Sequence, residues 1–466
     1  MTNPDILDGS FRDPAGQVHE IDGRIFRTVT PYGAPAFAKV HATNFLNDLV
    51  KTGDLVPYEI VQDPKIIELF PQAEYVLEHK RLNYISYPYE WSFNLLKEAA
   101  LLHLSIAIQA LDKDIVLTDA SAYNIQFIGP KPIFIDHLSF KPYTDREYWV
   151  GHRQFCEQFL NPLLLRAKLD VPHNSWFRGT QEGITNEDLS KLLGFHQKLS
   201  LNVLSHVVLP ARFQTRARNT QRTDTKKISE RKGIAKTTYN SLLVQLKKWI
   251  STLRPRNTHN STWGNYAEDN TYNDEENRLK ADFITEFIQS TNPDLIYDIG
   301  CNSGAFSEVA LKAGARQSIG FDFDKIAIDK AFKRATDKSL NLLPLYLDAA
   351  NPSPNQGWKQ SERVGFVERA KPDAILALAF EHHLAIGKNI PLQQVIQWLV
   401  SLAPNGIIEF VDKSDPTVQT MLSMREDIFP NYTPSAFESA LSDCTTIVNT
   451  REITKDGRTL YWYKRI

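Results

Sequence analysis

Residues 295–315 read LIYDIGCNSGAFSEVALKAGA, from Leu295 to Ala315. A short apolar run ends in Asp298, Gly300 and Gly304 bracket a tight turn, and an amphipathic helix leaves the turn and stops at Gly314. The same alternation continues downstream. The strand QSIGFDFD, the helix KIAIDKAFKRA, the strands LPLYLD and DAILALAF, the helix PLQQVIQWLV and the strand GIIEFV follow in order, and the helix NDEENRLKADFITEFIQS precedes them. Strands that are apolar throughout, separated by helices, predict an α/β fold with a parallel sheet covered on both faces. The chain then closes with a helix (NYTPSAFESAL) and a strand pair (TIVNTREIT, RTLYWYKRI).

In such sheets a ligand sits beyond the C-terminal strand ends, and the first strand-to-helix turn is its usual cradle. Gly300 lets the chain turn sharply, and Gly304 removes a Cβ where a ligand or the helix must come close. Asp298, Asp322 and Asp348 close three successive strands. A dinucleotide site would want GxGxxG, with helix-terminal amides meeting a pyrophosphate. Here the spacing is Asp-x-Gly-x-Asn-x-Gly, and an acid leading the loop repels phosphate. It suits a ligand that presents a cation.

YDIGCNSGAF followed by IGFDFDKIAID resembles the first two motifs of class I S-adenosylmethionine (SAM)-dependent methyltransferases, with Asn302 where many members have glycine. Asn tolerates left-handed backbone angles, so the departure is mild. The resemblance covers about residues 263–466. It implies a Rossmann-like domain with a mostly parallel seven-stranded sheet, and SAM as the cofactor. Asp298 with the backbone of Gly300, Cys301, Asn302 and Gly304 would face the methionine part. Asp322, followed by Phe323, would take the ribose hydroxyls, and Asp348 with Ala349 the adenine edge.

In this family the end of the fourth strand borders the methyl acceptor, which marks Phe380, Glu381, His382 and His383 in ALAFEHHLAIG. Phe380 also falls beside the expected cofactor. Transfer from a sulfonium depends mainly on alignment and exclusion of water, and a base is required only for a protonated acceptor. His383 or His382 is the candidate base. The competing reading has one His capping the strand end and the other packed beneath the next helix, and adjacent side chains are expected to point opposite ways. Trp263, Tyr266 and Tyr272 either line a lid over the cofactor or pack a domain junction, and Lys280 is placed to reach a carboxylate.

Residues 1–210 are rich in aromatic and branched residues and predict a separate α+β domain. Residues 211–262 combine a basic linker, RFQTRARNTQRTDTKKISERKG, with an amphipathic helix that puts Leu242, Leu243, Leu246, Trp249, Ile250 and Leu253 on one face. Within the first domain VLTDASAYNIQFIGPKPIFID predicts a hairpin turning at Gly129 and Pro130. Its Asp119, Asn124 and Asp136 have the spacing of the catalytic loop and metal-binding Asp of protein-kinase-like and aminoglycoside-kinase-like phosphotransferases. Thr118 stands in place of the usual His, His137 and Leu138 in place of Phe-Gly, and there is no glycine-rich phosphate loop; Lys39 is the candidate phosphate-binding lysine. A non-catalytic recognition domain with a kinase-C-lobe-like shape is favoured; the alternatives are phosphotransfer, and a turn satisfied by Asp119 and Asn124 with Asp136 capping a hairpin end.

The chain has 466 residues, 53 Lys plus Arg against 55 Asp plus Glu, and a formal charge of -2, which excludes a protein that coats nucleic acid along its whole surface. Cys156, Cys301 and Cys444 are far apart and form no CxxC pair, so neither a disulfide scaffold nor a structural zinc site is expected, no metal-ligating residues are assigned, and the cytoplasm is the natural compartment. The most apolar long segment, LLKEAALLHLSIAIQAL, carries Lys97, Glu98 and His103 and is read as a core helix, not a membrane span. As a whole, with YPYEWSF, TDASAYNIQF and FIDHLSF ahead of the cradle, the sequence resembles the bacterial family related to the nodulation protein NoeA, which implies a SAM-dependent methyltransferase. A small or glycan-like acceptor is favoured over RNA, because the basic linker lacks interleaved aromatics for base stacking.

Overall fold

A computed structural model describes residues 5–219, 233–256, 273–369, 371–423, 425–454 and 457–466. Trp263, Tyr266 and Tyr272 lie outside the described residues, as do residues 220–232 of the basic segment.

The C-terminal half is built on a seven-stranded sheet. Its strands are β10 (Leu295–Ile299), β11 (Gln317–Asp322), β12 (Leu342–Tyr346), β13 (Ala374–Ala377), β14 (Asn405–Val411), β15 (Thr445–Thr454) and β16 (Arg458–Arg465), in the order β12-β11-β10-β13-β14-β16-β15. β10 to β14 run parallel and β16 is antiparallel to β14. The chain leaves β10 toward β11 and β12 and returns to β13 on the other side, which puts the topological switch point between β10 and β13. Alternate residues of β10 enter different cores: Ile296 packs with Phe283, Ile284, Phe287 and Ile288 of the Asp274–Thr291 helix, and Leu295, Tyr297 and Ile299 join the larger cluster on the opposite face. That helix starts at a reciprocal cap, with the amide of Glu276 donating to Asn273 Oδ1 at 2.9 Å and the amide of Asn273 donating to Glu276 Oε2 at 2.9 Å.

The N-terminal half is α+β. β1 (Asp5–Ile6), β2 (Val18–Ile21), β3 (Arg24–Val29), β4 (Tyr58–Ile60) and β5 (Tyr75–His79) form an antiparallel sheet in the order β1-β2-β3-β5-β4. Below it the long Phe93–Asp112 helix leads into β6 (Ile115–Leu117), the hairpin β7 (Ile125–Ile128)–β8 (Lys131–Phe134) and β9 (Phe140–Pro142). The hairpin turns at Gly129 as expected, with φ +56°.

Between the halves the structure describes two helices, the second of them the amphipathic helix expected to dock. Leu209–Asn219 is helical, and the Lys236–Thr252 helix docks on the Phe93–Asp112 helix through Tyr239, Leu243, Leu246 and Ile250. Buried Lys97 donates from Nζ to the carbonyls of Ser251 (2.8 Å) and Leu253 (3.1 Å), satisfying the end of the docked helix with a cation.

The halves share one core. The largest buried cluster runs from Trp91 and Leu95 through Tyr84 to Tyr297, Phe321 and Leu345, and Tyr84 meets the rings of Tyr297 and Phe321 with centroids 5.9 and 6.1 Å apart. Glu90 and Arg369 close a buried bidentate ion pair across the boundary, with one N–H···O distance of 2.9 Å, and the guanidinium lies over Tyr84 and Tyr87. Asn94 Nδ2 donates to Asp329 Oδ1 (2.9 Å), and Arg178 Nη1 to the carbonyl of Asn351 (2.8 Å). Among the described residues no helix is long and apolar enough to cross a membrane.

Candidate functional site

The cradle after β10 is built as its glycines demand. Gly300 has φ +81°, and a Cβ there would lie 2.9 Å from Phe380 Cδ2, so both backbone angle and space require glycine. Gly304 has φ +74°, and its missing Cβ makes room for Leu342 Cδ2 at 2.8 Å; here the close approach comes from the sheet. Asn302 adopts φ +48°, and its buried Oδ1 has no hydrogen-bond partner among the described residues. Cys301 is buried, with Sγ facing Gly320.

The acids behave differently from one another. Asp298 is buried, Ser307 Oγ donates to its Oδ2 at 2.5 Å, and burial pushes its carboxyl up to about 6. Asp322 accepts the amide of Asn302 on Oδ2 and that of Asp324 on Oδ1, each at 2.8 Å, so it fixes the cradle while keeping further lone pairs. Desolvation also raises it to about 6. Asp348 lies two residues beyond β12, half-buried, and takes the amide of Ala350 at 3.1 Å. Phe323 is 51 % exposed and stands 5.7 Å from Tyr346, with Lys325 Nζ over both rings. Ala349 is half-buried beside Asp348. A cavity of about 310 Å³ opens beside Asp348, walled by Leu347 and Gln356 on one side and by Tyr89, Asn174 and Arg178 of the N-terminal half on the other.

After β13, Ala379 takes the left-handed φ of +48° and Phe380 begins the short Glu381–Ala385 helix. Glu381 is fully buried. Its Oε1 accepts from the amide of Val411 (3.1 Å) and from Tyr432 Oη (2.6 Å), which ties the β13 exit to β14. Tyr432→Phe is therefore expected to cost about 1.5–3 kcal/mol, measurable by urea unfolding, because a buried carboxylate loses a donor. His382 is buried with Nδ1 3.4 Å from Glu381 Oε2, whereas His383 keeps part of its surface open. The expectation that the two imidazoles point opposite ways is corrected: their ring centroids are 4.1 Å apart, because both lie in one helical turn and not in an alternating strand. Burial first, then His382 and Arg458, push His383 well below the ordinary imidazole value.

Two features of this region had no local signal in the sequence: Ser307 reaches Asp298 from the following helix, and Tyr432 reaches Glu381 across 51 positions. Lys280, expected to reach a carboxylate, is buried and donates to Glu409 Oε2 at 2.7 Å. Lys280 thus meets a carboxylate of the protein itself.

In the N-terminal half Asp119, Asn124 and Asp136 do come together. Asn124 Nδ2 donates to both oxygens of Asp119 (3.1 and 3.2 Å), and Ser139 Oγ lies 3.0 Å from Asp119 Oδ1 and 2.6 Å from Asp136 Oδ2. Burial, then the charge of Asp136, raises Asp119 to about 6. The cation at this site is Arg27 of β3, whose Nη1 is 2.8 Å from Asp136 Oδ1; Lys39 is exposed on the Ala34–Ala42 helix. Arg27 also pairs with Asp13.

Strand order, switch point and cradle define a Rossmann-like α/β protein joined to an α+β unit. The chain is 47 % identical over 463 residues to the nodulation protein NoeA of Rhizobium meliloti (strain 1021), covering 99 % of this chain and 96 % of that protein. It belongs to the NoeA family. No protein-family model matches it. Among solved structures, the N-methyltransferase NodS from Bradyrhizobium japonicum WM9 aligns at 14 % identity and a TM-score of 0.32, over 41 % of this chain and 98 % of that one. NodS in complex with S-adenosyl-L-homocysteine aligns at 13 % identity and the same TM-score, over 44 % and 99 %.

Proposed function

We propose that the protein is a SAM-dependent methyltransferase. The observation that carries this is the placement of Asp298 and Asp322 at the C-terminal ends of adjacent strands β10 and β11, and of Asp348 two residues past the end of β12, next to a glycine cradle at the switch point. The residues fit that cofactor. Acid leads the loop where an ammonium would sit, the orphaned Asn302 Oδ1 is available to a donor, and Asp322 retains acceptor capacity for a hydroxyl pair. Bound SAM would supply an activated methyl on a sulfonium.

In this reading Asp298 and the Gly300–Gly304 backbone hold the amino-acid end, with Cys301 packed beneath. Asp322 and Phe323 take the ribose side, and Asp348 with Ala349 the adenine edge. Phe380 shields the cradle from water. His383, neutral at pH 7 and partly open, takes a proton from the acceptor when one must leave; His382 and Glu381 set its position. The acceptor is a small or glycan-like molecule, with the N-terminal half selecting it. RNA is the alternative, its mark a steep salt dependence of binding lost on deleting residues 212–236. The test is calorimetry of SAM and its demethylated product with the full chain. Micromolar binding, lost in Asp322→Ala, supports the reading; no binding to folded protein overturns it.

A second reading rests on the convergence of Asp119, Asn124, Asp136 and Ser139 beneath Arg27. It gives the N-terminal half a kinase-like site, for phosphotransfer or for recognition alone. Magnesium-dependent ATP binding that disappears in Asp136→Ala is its signature, and its absence removes the phosphotransfer version.

A further inference from the structure

We propose that His152, Cys156 and His206 form a site for a zinc-type transition-metal ion in the N-terminal half. His152 Nε2 lies 3.0 Å from His206 Nδ1 and 3.7 Å from Cys156 Sγ, and one donor atom from each residue falls within 4.8 Å of the others. Zn–N bonds of about 2.0–2.1 Å and a Zn–S bond of about 2.3 Å in a tetrahedron separate N from N by roughly 3.3 Å and N from S by roughly 3.6 Å. The His152–His206 and His152–Cys156 separations are within a few tenths of an ångström of those values, and the third pair lies within 4.8 Å, so the side chains close on an ion by a small shift of Cys156 or His206. Two imidazoles and one thiolate select borderline metals such as Zn(II) over Mg(II) or Ca(II).

A second observation is independent of these distances. Cys156 and His206 each lie in a turn of π-helix, Cys156–Leu160 and Leu204–Val208. Such turns make up well under about 1 % of residues in proteins and concentrate at functional sites. Here two of them converge on one point, each delivering a donor.

Burial prepares the two imidazoles: it lowers His152 to about 4 and His206 below its ordinary value, so both rings are neutral with a lone pair to give. Burial also raises the Cys156 thiol, so the ion itself must displace that proton and affinity falls as pH falls. Loading with M²⁺ replaces the S–H bond with an M–S bond and releases that proton to solvent, with no change of oxidation state. Trp149 stands edge-on to His152 at 5.2 Å, and Trp249 of the docked Lys236–Thr252 helix stacks on His206 at 6.0 Å, giving the site an apolar wall. His152 is half-buried, so water completes the fourth position.

The ion would act on the Asp119 loop from behind. Gln154 Oε1 accepts the amide of Ala120 (2.9 Å), and Gln158 Oε1 that of Ala122 (2.8 Å), both from the segment that carries His152 and Cys156. A metal pinning that segment to His206 fixes the backbone that presents Asp119 and Asn124.

The experiment is a Co(II) and Zn(II) titration of full-length, chelator-treated protein carrying no histidine tag. One equivalent of Co(II) is expected to give tetrahedral d–d bands and a near-ultraviolet sulfur-to-cobalt band, both displaced by Zn(II). Cys156→Ser removes the sulfur band, and His206→Gln, which takes away a direct ligand, weakens affinity by more than the roughly 10–100-fold that loss of an outer-shell partner costs. X-ray absorption of the zinc-loaded wild type, which does not depend on variants folding, should show one sulfur and two imidazoles. Absence of stoichiometric binding, or a shell without sulfur, overturns the proposal and leaves a hydrogen-bonded histidine pair in an apolar pocket.

Discussion

Asp298→Asn is expected to lower SAM affinity by about 100-fold or more and at the same time to raise the thermal stability of the ligand-free protein. The two effects share a cause. Burial holds the Asp298 carboxyl near 6, above its ordinary value of 3.8. A carboxyl whose folded-state value is raised contributes stability that is complete below the unfolded value and is lost as pH rises through the folded one. Above about pH 6 the ligand-free fold therefore carries a desolvated charge, held by Ser307 but incompletely compensated. Asn keeps the shape, still accepts from Ser307, and removes the charge, for a gain on the order of 2–3 kcal/mol at pH 7.5 that vanishes by about pH 4. Calorimetric binding and melting curves at the two pH values check both halves. A variant that binds SAM as tightly as the wild type would remove Asp298 from the site; one that melts lower at pH 7.5 would mean that the buried charge is fully compensated in the ligand-free fold.

Arg369→Ala is expected to destabilise the whole protein by about 3–5 kcal/mol, because it strands Glu90 as an unpaired buried charge and strips the cation from the faces of Tyr84 and Tyr87. Denaturant unfolding followed by far-ultraviolet circular dichroism gives the number. The diagnostic comparison is Arg369→Met with Glu90→Gln. If desolvation dominates the single loss, the double variant recovers much of it; if the pair contributes mainly through geometry, it does not. A loss below about 1 kcal/mol in Arg369→Ala would mean that the boundary between the halves is wet in solution.

What the sequence showed and what it hid follow from the range of the forces involved. The strands of the C-terminal half were legible because a sheet covered on both faces requires unbroken apolar runs, and the cradle because φ values near +80° leave glycine as the residue of choice. The Gly129 hairpin and the reciprocal cap at Asn273 and Glu276 are local in the same sense. Composition was silent on the Leu209–Asn219 helix, since a basic stretch reads as solvated whether or not its backbone is helical. The pairing of Glu90 with Arg369 joins positions 279 apart, and Ser139 and Arg27 reach Asp136 from two other elements, so no spacing rule announces them. The histidine orientation was misjudged because a period of two was assumed where the chain had already turned into a helix.

The meeting of the halves also bears on how the protein can be dissected. β12 is the outer strand of the seven-stranded sheet, and the tip of the β7–β8 hairpin presses on the residues just before it: a Cβ at Gly129 would lie 2.9 Å from the carbonyl oxygen of Leu340. An open strand of this kind is a template for pairing with other chains. Cutting before residue 273 would take away the hairpin, Tyr84 and Glu90 together, leaving a sticky rim and a bared aromatic face. A fragment made to isolate the proposed cofactor site should therefore self-associate, because the N-terminal half is what covers these surfaces.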